Sequence, residues 1–90
     1  MDEIVKKRLE LQNYLMGEFP EAEQVIIKSC CEREIVTVKL NGSSTSVADK
    51  IIALKERALP KTPFIRVRDL DFGFSIEGPS PSHLLAMLQE

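Results

Sequence analysis

Residues 24–41, QVIIKSCCEREIVTVKLN, carry the pattern on which the architecture hangs. Over 24–30, Val25 and Ile27 share one face of an extended segment, while Ile26, Lys28 and Cys30 share the other. Over 34–41, Val36, Val38 and Leu40 alternate with Ile35, Thr37 and Lys39. A period of two is the signature of a strand with one buried face. The connection Cys31-Glu32-Arg33 is short enough for a hairpin, so the two strands are expected to pair antiparallel. A second pair follows at 64–68 and 72–77, with Asp69-Leu70-Asp71 as its turn. There Ile65 and Val67 oppose Phe64, Arg66 and Arg68, and Phe72, Phe74 and Ile76 oppose Gly73, Ser75 and Glu77. Gly78-Pro79 then breaks the strand.

Helical periodicity surrounds these hairpins. Residues 3–16 place Ile4, Val5, Leu9, Leu11, Leu15 and Met16 at spacings of an amphipathic helix. Asp2 is its expected cap and Gly17 its expected stop, with Glu3 four residues before Lys7 as a supporting pair. Lys6-Lys7-Arg8 reads as a basic run on the solvent side. Ser46-Val47-Ala48-Asp49 has the hydroxyl and carboxylate of a capping box. From it a second helix presents Val47, Ile51, Leu54 and Ala58 as its apolar stripe, with Ile52 and Leu59 beside them. Lys55 and Arg57 suit the carboxyl end, and Pro60 ends it. Ser80 and Pro81 start a short last helix through Leu84, Leu85 and Leu88.

The expectation is an α+β two-layer sandwich in the order α-β-β-α-β-β-α, forming one domain over residues 1–90. A four-stranded, mostly antiparallel sheet would carry helices on one face only. At 90 residues, such a chain can bury roughly 64% of its unfolded surface, enough for one modest core. An apolar fraction of 43% with 29% charged residues suits a folded chain, and the net charge of −2 argues against a general polyanion binder. Met1–Arg8 has no apolar stretch of a secretory signal, and no apolar run approaches the ~18 residues of a membrane span. Together with the cysteines, this leads to an expected cytoplasmic location.

Those cysteines, Cys30 and Cys31, are adjacent. In a strand their side chains point to opposite faces, and a bond between neighbours closes a strained ring, so reduced thiols are expected. One histidine and two adjacent cysteines do not make a tetrahedral metal set, and no cofactor is implied. His83 lies at the third position of the last helix, where a surface role suits it better than general-base work. Ser80 and Ser82 beside it read as helix-start residues. Gly42-Ser43-Ser44-Thr45-Ser46 precedes a helix start but lacks the glycine-lysine spacing of a phosphate loop. Asn41-Gly42-Ser43, formally a glycosylation pattern, reads as turn chemistry, and Glu18, Glu21 and Glu23 read as a solvated acidic loop around Pro20. Phe72-Gly73-Phe74 overlaps the aromatic-glycine-aromatic centre of the RNA-recognition motif. However, the basic-glycine pair before it and the final aromatic are missing, and that fold runs β-α-β-β-α-β. Asp71-Phe72-Gly73 repeats the kinase magnesium tripeptide in a chain with no glycine-rich or catalytic loop. No family follows from either match.

What remains is the sheet face without helices. Ile26, Lys28, Ile35, Lys39, Phe64, Arg66 and Arg68 are the expected binding surface, with Thr37, Gly73, Ser75 and Glu77 between them. Three destinies are open to it: plain solvation, a protein partner or second copy covering Ile26, Ile35 and Phe64, or single-stranded nucleic acid held by cations and an aromatic. The expectation is a non-enzymatic protein–protein interaction module, with a nucleic-acid-binding module as the alternative. No membrane role is expected.

Overall fold

The computed structural model describes residues 2–42 and 44–90. Met1 lies outside them, as does Ser43, which belongs to the expected turn and to the hydroxyl-rich loop. Helix α1 spans Glu3–Glu18, strand β1 Ala22–Cys30, strand β2 Arg33–Leu40 and helix α2 Thr45–Ala58. Strand β3 spans Arg66–Leu70, strand β4 Gly73–Gly78 and helix α3 Pro81–Leu88. The order is the expected one. All neighbouring strands pair antiparallel in the order β1-β2-β4-β3, so β2 and β4 are central and β1 and β3 are edges.

Register explains the core. Val25 sits opposite Val38 and Ile27 opposite Val36. Val36 and Val38 in turn face Ile76 and Phe74 across the centre of the sheet. These side chains meet Leu11 and Leu15 of α1, Leu54 and Ala58 of α2, and Leu84, Leu85 and Leu88 of α3 in one buried cluster. Phe19 closes it with its ring 4.9 Å from that of Phe74. At ~25 cal/mol per Å² of apolar surface removed from water, this cluster is the main stabilising term.

The helix ends follow local chemistry, with corrections. Asp2 accepts from the Ile4 amide at 3.0 Å, capping α1 as expected. Gly17 does not stop the helix, which runs on to Glu18 and gives its last amide bond through Phe19 to the Leu15 carbonyl. Glu3 pairs with Lys6 and Glu10 with Lys7, in place of a Glu3–Lys7 pair. The cap of α2 is Ser44, whose hydroxyl accepts from Val47 at 3.3 Å, two residues before the expected box. Starting there lets Thr45 and Ser46 join the first turn while Val47 is buried. Pro60 falls in a 3-10 turn over Leu59–Lys61 directly after α2, and Ser80 and Pro81 start α3 as expected.

Two larger corrections concern burial. Of the expected apolar stripe on α1, only Leu11 and Leu15 are buried; Ile4, Val5, Leu9 and Met16 are about half exposed. The cause is position: α1 lies over edge strand β1 and against α3, so its outer side has no neighbour. Phe72 is 49% exposed whereas Phe74 is fully buried. The second turn is Asp71-Phe72, two residues later than expected at its start, and this lifts Phe72 out of the core.

Candidate functional site

The second face of the four strands forms a grid without helices over it, open to solvent except at Ser75, which its neighbours bury contrary to expectation. One row across β1, β2, β4 and β3 is Lys28, Ile35, Glu77 and Arg66; the next is Ile26, Thr37, Ser75 and Arg68; the third is Gln24, Lys39, Gly73 and Leu70. Beyond the first row stand Cys30 and Arg33. The alternation of the strands therefore brings Ile26, Lys28, Ile35, Lys39, Arg66 and Arg68 onto one surface. Phe64 precedes β3 and does not lie flat on the sheet: its ring meets His83 edge-on at a centroid distance of 5.4 Å.

Arg33 joins the surface although its residue number placed it in the expected turn. The turn is only Cys31-Glu32, so Arg33 is already the first residue of β2. Its guanidinium donates from Nε to Glu77 at 2.7 Å and from Nη2 to the Phe64 carbonyl at 3.0 Å, clamping the central strands to the segment before β3. Five of the chain's twelve basic side chains and one of its fourteen acids thus occupy this face. Among the described residues, none of Lys28, Lys39, Arg66 and Arg68 forms an ion pair. Glu77, directly opposite Arg66, is taken by Arg33. The result is a face of net positive sign in a chain of net charge −2.

Gln24, Ile26, Lys28, Thr37, Lys39 and Phe72 line a shallow depression at one end of this face. Phe72 holds its place because its carbonyl accepts from the Leu40 amide at 2.8 Å. The next residue, Gly73, lies so close to β2 that a Cβ there would stand 1.9 Å from the Val38 carbonyl oxygen. No side chain fits, and glycine is what lets the second hairpin close against β2.

On the opposite face, Glu34 is the buried charge. It is 5% exposed at the end of the core and receives Arg8 of α1 through Nη2 at 2.6 Å and Nε at 3.1 Å. Ser29, its cross-strand partner, bonds to both Glu34 and Arg8. The Arg8 hydrogen bond holds the Glu34 carboxyl below its ordinary range, the Ser29 hydroxyl and the Arg8 charge adding to it against the opposing effect of burial. Arg8 therefore does not belong to the solvent-facing basic run; it anchors α1 to the sheet.

The residues weighed for chemistry are placed as follows. His83 is exposed, and among the described residues its side chain hydrogen-bonds to Ser80 alone, at 2.6 Å from Nδ1; Ser80 also caps the His83 amide at 3.2 Å. That is a helix start, and no carboxylate orients the ring. No group of three or more histidine, cysteine or carboxylate side chains that could hold a metal is present among the described residues. No described helix is long and apolar enough to cross a membrane. Cys30 and Cys31 differ from expectation. They are free thiols, yet their Sγ atoms lie 3.4 Å apart instead of pointing to opposite faces. Cys31 and Glu32 have φ of 55° and 64°, the left-handed conformation of a tight hairpin turn, and this swings Cys31 back toward Cys30. That conformation costs residues other than glycine roughly 1–2 kcal/mol each.

No family model matches this chain, and neither curated proteins nor solved structures give a significant match to it.

Proposed function

We propose that this chain is a small non-enzymatic protein–protein interaction module of the cytoplasm, a regulator, adaptor, inhibitor or complex subunit, whose open sheet face docks an acidic partner protein. One observation carries the reading: five cations against one anion on a face that no helix covers, in a chain whose overall charge is negative. Charge segregation of this kind steers a partner of opposite sign and orients it on contact. Ile26 and Ile35, half-buried among the cations, supply apolar contact that a protein surface can complete. A second copy docked face to face would bring the same sign of charge, which favours a different chain as the partner.

The test is affinity purification with the wild-type chain and with a Lys28→Glu/Lys39→Glu/Arg68→Glu variant as baits. The partner recovered is then measured directly against both in a salt titration. Binding is expected to weaken at least ~10-fold in the variant and to fall as salt rises. Equal affinity for the two baits overturns the reading.

Single-stranded nucleic acid is the second reading, favoured by one specific observation. The exposed Phe72 ring borders the same depression as Lys28 and Lys39, the pairing of a stacking surface with phosphate-seeking cations. Labelled single-stranded RNA or DNA would then bind at low salt and be released steeply as salt rises. An absence of binding at low salt removes it.

A further inference from the structure

At the end of the first hairpin, bordering the open face beside Arg33, lies a reactive cluster that the docking surface does not use. Two thiols are exposed there with 3.4 Å between their sulfurs. Adjacent cysteines in regular extended backbone cannot approach in this way, because successive side chains diverge. The approach depends on the left-handed φ of Cys31, continued by Glu32. A two-residue turn of this type calls for Asn-Gly or Asp-Gly, and Cys-Glu stands in their place. Backbone held in such a conformation by non-glycine residues is characteristic of functional positions.

We propose that Cys30 and Cys31 form a two-thiol chelating site for a soft, thiophilic centre of the trivalent arsenical class. The bite of the pair supports the class. With sulfur bonds of about 2.3 Å, as zinc makes to cysteine, a 3.4 Å separation subtends roughly 95° at the bound atom. That is nearer the right angle of a pyramidal centre with a lone pair than the wider tetrahedral angle of zinc. Two soft donors, with no histidine or carboxylate among the described residues completing a cage, also suit a centre that needs only two or three sulfurs. The hydrogen bond between the thiols raises the pKa of Cys30, favouring its neutral thiol. Chelation does not need a preformed thiolate. With an organoarsenic oxide, two As–S bonds form, the As–O double bond breaks, and both thiol protons leave with the oxide oxygen as one water. Nothing is oxidised or reduced.

The experiment titrates the full chain with phenylarsine oxide, reading free thiols with a chromogenic disulfide and following thermal unfolding. One equivalent is expected to remove both titratable thiols. Cys30→Ser and Cys31→Ser should each bind at least ~100-fold more weakly, because the second arm acts at high effective concentration. Since the folded turn holds the sulfurs together, the midpoint of unfolding should rise with arsenical concentration, and it should not move in the Cys30→Ser/Cys31→Ser double variant. A single-serine variant that binds as tightly as wild type overturns the two-thiol site. A wild-type midpoint that is unmoved or lowered despite binding overturns the role of the folded turn.

Discussion

Arg33 and Glu34 are consecutive residues of β2, and each forms an arginine–glutamate pair, but on opposite faces of the sheet. Glu34 turns toward the helices and meets Arg8, with 7% and 36% of the two side chains exposed; Glu77 meets Arg33 on the open face, with 23% and 31% exposed, so the carboxylates differ in burial and the arginines do not. The residue types are the same, but the pair beneath the helices is a two-bond fork joined by Ser29, whereas Arg33 gives Glu77 one bond and the Phe64 carbonyl another. Beneath the helices, the pair is part of how α1 is fastened to the sheet, and its carboxylate has no alternative partner in water. On the open face, the pair holds a surface together and takes up the one acid there, leaving four other cations free. One face of this sheet carries the buried core; the other is the face proposed above for contact.

Substitutions that exchange the two faces should separate them most. Val38→Asp places a charge among Val25, Phe74 and the helices and is expected to cost about 4 kcal/mol or more, enough to unfold the chain. Thr37→Asp, one residue away on the open face, is expected to cost less than about 1 kcal/mol in the same thermal melt. Equal damage would break the comparison. Gly73→Ala comes next, at about 1–3 kcal/mol, because the added methyl meets the Val38 carbonyl and β2 and β4 must part.

The two ion pairs sharpen the contrast through pH. The folded-state pKa of Glu34 is lowered, so its contribution to stability is present above the ordinary carboxylate range and disappears as pH falls through the lowered value. Glu34→Gln is expected to flatten the loss of stability on acidification, read as unfolding midpoints from neutral pH down to about 3. A variant with the wild-type slope would contradict the assignment of that acid sensitivity to Glu34. Smallest of all, Glu77→Gln should change stability by less than about 1 kcal/mol, the range of accessible pairs. By releasing Arg33 it should also strengthen binding of an acidic partner.

The same division explains what could be read from the chain. A buried face imposes a period of two, so Val36, Val38, Phe74 and Ile76 announced both the strands and their facing. Contacts that depend on turn conformation left no such trace. Phe72 continues the alternation of Phe74 and Ile76, yet the chain turns at Asp71-Phe72, and aspartates at both 69 and 71 suited either placement. Cys31-Glu32 carries no residue that marks a left-handed turn, so neither the recruitment of Arg33 to the open face nor the meeting of the two thiols was legible. The apolar residues of α1 obey helical spacing whether or not anything lies beside them. Only the strand order, with β1 at the edge, decides that Leu9 and Met16 stay exposed.

That exposed stripe on α1 is the natural rival of the cationic face as the place where a partner protein binds. The deciding measurement sets the affinity of the co-purified partner for the wild-type chain against two variants with matched unfolding midpoints. One is Lys28→Glu/Lys39→Glu/Arg68→Glu on the sheet, and the other is Leu9→Ser/Met16→Ser on α1. Loss of binding in the sheet variant, with the helix variant unchanged, is the predicted result. Binding that survives the charge reversals and disappears with the α1 substitutions would contradict it.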